Sequence, residues 1–361
     1  MSPEIRRRTK TIDLGGVRIG GNAPVAVQSM TSSDTRDSNA TVAQIKELEE
    51  AGCEIVRVAV PDEAAAKAIQ DIRSRIHIPL IADIHFQYSL ALQAMNAGAD
   101  GIRINPGNIP PEGIRRIVAT ARENRKVIRI GINAGSLEKE ILARHGGPTA
   151  EAMVESALKN IRLLEEMDFG LIKLSLKSSD VPTTIEAYRA VSAKTEYPLH
   201  LGVTEAGTLI HSAIKSSIGI GTLLYEGIGD TIRVSVTGNP IPEVDLAYGI
   251  LRALNIRKKG PDIVSCPTCG RCEIDLAGLV DQVERELRDV KIPLKIALMG
   301  CVVNGPGEAA EADIGIAGGK KVGMLFKRGK IIRKIREEEF VPVLLKEIRN
   351  MEKDFSGKDG S

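Results

Sequence analysis

Between residues 25 and 254 the chain repeats one pattern eight times, and few folds can accept it. Each repeat is a short β-rich run followed by an Ala/Leu/Ile-periodic helical stretch. The strand runs are 25–30, 55–60, 80–84, 101–104, 127–132, 171–176, 199–203 and 231–236. The helical stretches are 39–51, 62–74, 87–97, 111–124, 150–167, 181–194, 207–217 and 242–254. Alternating units of this kind require a parallel sheet covered by helices, and eight of them in about 230 residues predict a closed (β/α)8 barrel of the TIM type. An open doubly wound sheet is the alternative, but the G-x-G-x-x-G turn that usually follows its first strand is absent there. Residues 9–21 predict a hairpin that turns at Gly15-Gly16 and plugs the bottom of the barrel.

Past residue 262 the rhythm changes. A helix at 275–289, a strand at 294–299, two or three short strands over 313–334 and a helix at 337–351 predict a smaller α+β domain. The expected organisation is a barrel over 1–256, a linker at 257–262, the small domain at 263–352 and a disordered tail at 353–361. Charge is balanced, 49 basic against 47 acidic residues, and the chain has no Trp, so neither a global field nor a stacking platform argues for nucleic acid. No secretory signal and no membrane-length apolar run is present, and the expected compartment is a reducing cytoplasm.

Barrel chemistry sits at the C-terminal ends of the strands. Those ends carry Arg57, Asp83 and His85, Arg103 and Asn105, Arg129 and Asn133, Lys173, Ser175 and Lys177, Thr204 and Glu205, and Arg233 and Ser235. Arg inside otherwise apolar runs needs a partner. Four on separate strands suit a phosphate or diphosphate; ion pairs around the rim are the alternative. Glu205 is the carboxylate placed for proton transfer, or else it is paired with Lys177 or Arg233.

The small domain holds the spacing Cys266-x2-Cys269-x2-Cys272, and Cys301 precedes the turn Asn304-Gly-Pro-Gly-Glu308. C-x2-C-x2-C is iron–sulfur spacing. Zinc with Cys272 as fourth ligand is the alternative. The Gly/Pro-rich turn is expected to place Glu308 within ligand reach beside Cys301, as a carboxylate alternative to a fourth thiolate. Cys53, outside this group, reads as core.

At these residues the chain resembles the 4-hydroxy-3-methylbut-2-enyl diphosphate synthase family. The segments that carry the resemblance are VQSMT at 27–31, DIHF at 83–86, IRINPGN at 102–108, SCPTCGR at 265–271 and MGCVVNGPGE at 299–308. The resemblance implies a two-electron reductive ring opening and dehydroxylation of 2-C-methyl-D-erythritol 2,4-cyclodiphosphate. It implies a [4Fe–4S] cluster on Cys266, Cys269, Cys301 and Glu308, whereas spacing alone favours Cys272 over Glu308. It implies substrate contacts from Arg57, Arg103, Arg129, Asn133, Lys177, Thr204, Arg233, Ser235 and Asn304, with Glu205 and His85 as catalytic groups.

Ferredoxin or flavodoxin is the expected electron donor. The stretch from Lys320 to Arg336, which contains no acidic residue, reads as its docking surface or as charge protecting strand edges. The chain leaves the barrel at its bottom, so a short linker favours a head-to-tail homodimer in which each small domain caps the other barrel. Rival readings are a corrinoid- or pterin-type methyltransferase barrel, which predicts a neutral or carboxylate-lined mouth, and a zinc-ribbon adaptor on an inactive barrel.

Overall fold

The computed structural model describes residues 6–301, 307 and 311–356. Two compact units divide the chain between Arg257 and Lys258. The first opens with a hairpin, β1 (Ile12–Leu14) and β2 (Val17–Ile19), paired Ile12 to Ile19 and Leu14 to Val17. Gly15 and Gly16 turn it at φ +57° and +96°, a region that side-chain-bearing residues rarely adopt.

Eight parallel strands follow: β3 (Ala26–Met30), β4 (Ile55–Ala59), β5 (Leu80–Asp83), β6 (Gly101–Ile104), β7 (Val127–Asn133), β8 (Ile172–Lys177), β9 (His200–Leu201) and β10 (Thr231–Ile232). They run in the ring order β8-β7-β6-β5-β4-β3-β10-β9, and a bridge from Leu174 to Leu199 closes the ring. The helices between and around them are α1 (Ser38–Ala51), α2 (Glu63–Ser74), α3 (Tyr88–Asn96), α4 (Pro111–Glu123), α5 (Lys139–His145), α6 (Ala150–Glu165), α7 (Val181–Ser192), α8 (Leu209–Tyr225) and α9 (Ile241–Ala253). Asp37, Asp62, Thr149 and Asp180 cap α1, α2, α6 and α7 by accepting from backbone N–H groups of the first turn.

Alternation along each strand sorts the side chains. Val56, Val58, Ile102, Ile104, Ile128, Ile130, Leu174 and Leu176 belong to the core that the strands share with the helices. The intervening positions make the barrel interior. Its lowest layer, Ala26, Ile55, Ile81 and Val127, packs on Ile12, Leu14 and Ile19 of the hairpin, so the plug is apolar on apolar.

The barrel differs from the expected elements in three places. Helix α8 runs eight residues beyond its expected end at 217, through Ser217-Ile-Gly-Ile-Gly221. Gly219 has no Cβ to hold it away from Val203, so tertiary packing overrides weak propensity there. The short helix α5 was not expected. Hydrogen-bonded strand β10 stops at Ile232, before Arg233, although Arg233 N–H still donates to Leu201 O at 3.0 Å.

The second unit is a five-stranded sheet in the order β11 (Asp262–Ser265), β12 (Lys295–Met299), β13 (Ile314–Gly319), β14 (Val322–Lys327) and β15 (Lys330–Arg336). The first three strands are parallel and the last two turn antiparallel. Helices α10 (Leu276–Glu286) and α11 (Phe340–Ser356) bring Leu276, Leu279, Val283, Leu344 and Ile348 into one core with Ile296, Leu298, Ile314 and Ile316. Residues 353–356 are helical rather than tail, because the apolar spacing Phe340, Leu344, Ile348, Met351 carries the helix on. Among the described residues no helix is long and apolar enough to cross a membrane.

Candidate functional site

The inward positions one step above the apolar layer are charged. Asp83, Arg103, Arg129 and Lys173 are register partners on β5, β6, β7 and β8, so the closed sheet lines them up laterally. Arg57 enters from β4 and Lys177 from the end of β8. Arg129 and Lys173 are 1% and 0% exposed, and Arg57, Asp83, Arg103 and Lys177 are buried too. Gly131 makes room for this layer: a Cβ there would collide with the Arg103 guanidinium.

Asp83 is the shared counter-charge. It lies 3.6 Å from Arg57 Nη1 and 3.3 Å from Arg103 Nη1. Burial pushes its pKa up, but Arg57, Arg103 and Arg129 outweigh burial and hold it at about 2. Arg233 forms a two-pronged ion pair with the buried Glu243 of α9, at 3.1 and 2.9 Å. Glu243 also accepts from Ser29 Oγ at 2.8 Å and from Val236 N–H at 3.0 Å.

Among the described residues, Asp83 and Glu243 do not match all of these cationic groups. Arg103 Nε, Arg129 Nε and Nη1 and Lys173 Nζ are buried without a hydrogen-bond partner among the described residues, as are both amide atoms of Gln28. Burial lowers the Arg57 pKa to about 10. Burial and then the neighbouring guanidiniums push Arg129 and Lys177 well below their usual values. Such groups cost several kcal/mol each to leave unpaired. The arrangement is therefore suited to receive a multiply charged anion, which would repay that desolvation.

The other expected site residues stand around this layer. Asn133 accepts from Arg103 Nη2 at 3.2 Å when its amide is oriented to satisfy both sides. Asn105 is held by Ser136 O at 3.1 Å and Gly107 N–H at 3.2 Å. Thr204 and Ser235 are half-buried, and His85 is exposed beside Phe86, ring centroids 6.1 Å apart. Glu205 is exposed with φ +52°, a strained conformation for a residue with a side chain. Its proposed structural partners are taken: Arg233 pairs with Glu243, and Lys177 Nζ lies 3.3 Å from His200 Nε2. Glu243 and His200 were missed from the sequence. His200 alternates inward between Leu199 and Leu201, which is the one signal that could have found it. Glu243 on its helix carries none.

In the second unit Cys266 follows β11 and Cys301 follows β12, so parallel pairing sets both at the same end of the sheet. Gly300 N–H donates to Cys266 Sγ at 3.3 Å. The Cys272 thiol donates to Ile274 O at 3.3 Å and packs against Gly300. Cys269 is exposed, and the Arg271 backbone N–H, then its side chain, hold its thiol below the usual range. Among the described residues no three His, Cys, Asp or Glu side chains converge closely enough to hold a metal ion. Asn304 and Glu308 lie outside the described residues. Cys53 is buried in the barrel core, where burial pushes its thiol up to about 12. The Lys320–Arg336 stretch proves less uniformly basic in space than in sequence. Arg336 pairs with Glu338 and Glu339, Lys327 with Glu347, and Lys321 O accepts from Glu337 N–H.

Fold and site together define a (β/α)8-barrel protein with a cation-lined interior and an appended thiol-bearing α+β unit. The GcpE TIM-barrel domain matches residues 9–248 and the GcpE protein C-terminal domain matches residues 262–350, so the chain belongs to the GcpE family. A relative from Caldanaerobacter subterraneus subsp. tengcongensis, 59% identical over 97% of this chain and 99% of its own, is named 4-hydroxy-3-methylbut-2-en-1-yl diphosphate synthase (flavodoxin). One from Thermodesulfovibrio yellowstonii, 59% identical over 95% of this chain and 99% of its own, bears the same name. Among solved structures, dihydropteroate synthase from Stenotrophomonas maltophilia superposes with a TM-score of 0.51 at 14% identity, over 68% of this chain and 98% of its own. That likeness concerns the barrel fold alone.

Proposed function

We propose that this chain is a 4-hydroxy-3-methylbut-2-enyl diphosphate synthase. It takes 2-C-methyl-D-erythritol 2,4-cyclodiphosphate, two electrons and two protons to (E)-4-hydroxy-3-methylbut-2-enyl diphosphate and water. The observation that carries this reading is the surplus of buried, unpartnered cations inside the barrel, in a chain whose high-identity relatives bear that enzyme's name.

Arg57, Arg103, Arg129, Lys177 and Arg233 would bind the two phosphates, with Glu243 fixing Arg233 and Asp83 fixing Arg57 and Arg103. Burial excludes water and strengthens every one of these contacts. Asn133, Thr204, Ser235 and Asn304 would orient the substrate's remaining oxygens. Glu205, strained and unpaired, would deliver a proton to the departing hydroxyl, with His85 as a second donor.

The donor chemistry of the small unit fits an iron–sulfur group. Cys266 already accepts a backbone N–H at sulfur, the Arg271 N–H and side chain hold the Cys269 thiol below its usual range, and Cys272 is engaged with its own segment. Cys266, Cys269, Cys301 and Glu308 would hold a [4Fe–4S] cluster, which when bound supplies the electrons one at a time. Flavodoxin is the proposed donor, the cytoplasm the proposed compartment, and a head-to-tail homodimer the proposed assembly. That chains associate, though not how they are oriented, is supported by an exposed apolar stripe on α8, where Ile210, Ile214, Ile218 and Tyr225 are 71%, 55%, 53% and 72% exposed.

The test is anaerobic. Protein reconstituted with iron and sulfide, holding about four iron per chain, is expected to convert the cyclodiphosphate with reduced flavodoxin, read by phosphorus NMR. Stoichiometric zinc with no turnover would sink the reading.

A further inference from the structure

The seam that closes the barrel, between β8 and β9, is its sparsest ladder: one bridge joins Leu174 to Leu199. Side chains complete it. Tyr188 of α7 accepts from Leu176 N–H on β8 at 3.1 Å and donates to His200 O on β9 at 2.5 Å. Across the same seam Lys177 Nζ lies 3.3 Å from His200 Nε2, and His200 Nδ1 lies 2.8 Å from Thr231 Oγ1 on β10. With Lys177 as an ammonium, which only donates, Nε2 accepts and the ring proton sits on Nδ1, facing Thr231. Gly202, two residues past His200, leaves space that a Cβ would deny to Lys177 Nζ.

The groups acting most strongly on this pair are all cationic: Arg57 from β4, Arg103 from β6, Arg129 from β7, Lys173 from β8 and Arg233 after β10. Among the described residues, Lys177 is the cation of the layer held by a neutral imidazole with no carboxylate beside it. A carboxylate in that place would neutralise Lys177 and compete with an incoming anion, as Glu243 does for Arg233. An imidazole aims the amine and leaves its charge for the ligand.

We propose that His200 is a positioning residue that aims Lys177 at the bound anion and, through Thr231, holds the tautomer that lets it do so. The proposal rests on the reading of the barrel interior as a diphosphate site. It separates Lys177 from the other cations, which are fixed by carboxylates or by none.

The experiment is a double-mutant cycle on the full-length protein, read by calorimetric titration with inorganic pyrophosphate. Lys177→Met and His200→Leu are each expected to weaken binding ~10-fold, and the double variant to bind no worse than Lys177→Met alone. His200→Gln, whose amide oxygen can accept in place of Nε2, is expected to stay within ~3-fold of the wild type. Additive losses, or a folded His200→Leu protein with unchanged affinity, would overturn the proposal.

Nitrogen-15 NMR of the imidazole gives a second readout that needs no ligand. An Nδ1–H tautomer that is lost in Lys177→Met supports the proposal; an Nε2–H tautomer in the wild type overturns it. Should His200→Leu not fold, His200→Gln and the tautomer decide. A wild type that does not bind pyrophosphate counts against the diphosphate reading, and the tautomer still judges His200.

Discussion

The barrel interior has two layers built by the same strands, and they follow opposite rules. Inward positions two residues apart read Ile55 and Arg57, Ile81 and Asp83, Gly101 and Arg103, Val127 and Arg129, Leu171 and Lys173. Ile55, Ile81 and Val127 pack with the hairpin plug in an apolar cluster that has Leu171 at its edge, and Gly101 lets Leu14 approach closely. The upper member is ionisable, buried and in several cases unpaired. One layer stabilises the fold, and the other lowers stability in exchange for a surface prepared for an anion.

Substitutions can set the two layers against each other. The largest effect is expected at Arg129. Arg129→Met should lower pyrophosphate affinity by ~10³, in the range for removing one partner of a buried charge contact, while raising ligand-free stability by about 1–4 kcal/mol. Titration calorimetry and urea melts check the two halves, and a destabilised Arg129→Met protein would mean that the guanidinium is structural. In the lower layer the sign reverses. Leu14→Ala should cost about 3 kcal/mol of stability and leave pyrophosphate affinity untouched.

Glu205→Gln tests chemistry rather than layering. Turnover should fall ~10²-fold with iron content and pyrophosphate affinity intact, the loss expected for a general acid. Near-normal turnover would remove Glu205 from proton transfer.

Asp83 belongs to the upper layer but stabilises. Its folded pKa of about 2 lies below the 3.8 of a free aspartate, so its contribution is fully present above pH ~4 and is lost as pH falls toward 2. At about 1.4 kcal/mol per unit this amounts to about 2 kcal/mol. Acid melts of Asp83→Asn should lack that limb. The smallest change is expected at Cys272: Cys272→Ser should keep iron content and visible absorption, whereas loss of both would make it a ligand in place of Glu308.

The eight-unit alternation and the hairpin were legible because they are local: period-two and period-3.6 patterns and Gly-Gly turns report their own conformation. The second half of α8 was not legible, since Val203 and Val181, packed against Gly219 from elsewhere in the barrel, explain why a Ser/Gly-rich run stays helical. Arg57, Arg103, Arg129 and Arg233 stood out as charges within apolar strands. Glu243 and His200 did not, because their roles exist only through partners distant in the chain, Arg233 and Ser29 for one and Lys177 and Thr231 for the other.

By itself the sequence determined the eight β/α units, which strand positions face inward, and where thiols and guanidiniums sit along the chain. Ring closure decided the rest. Only when β8 meets β9 and the row from Asp83 to Lys173 is wrapped into one interior do charges far apart in sequence share a low-dielectric space. Which cations are neutralised, which are aimed and which are left for a ligand depends on that shared space, and burial and proximity of this kind are properties of the closed barrel rather than of any segment within it.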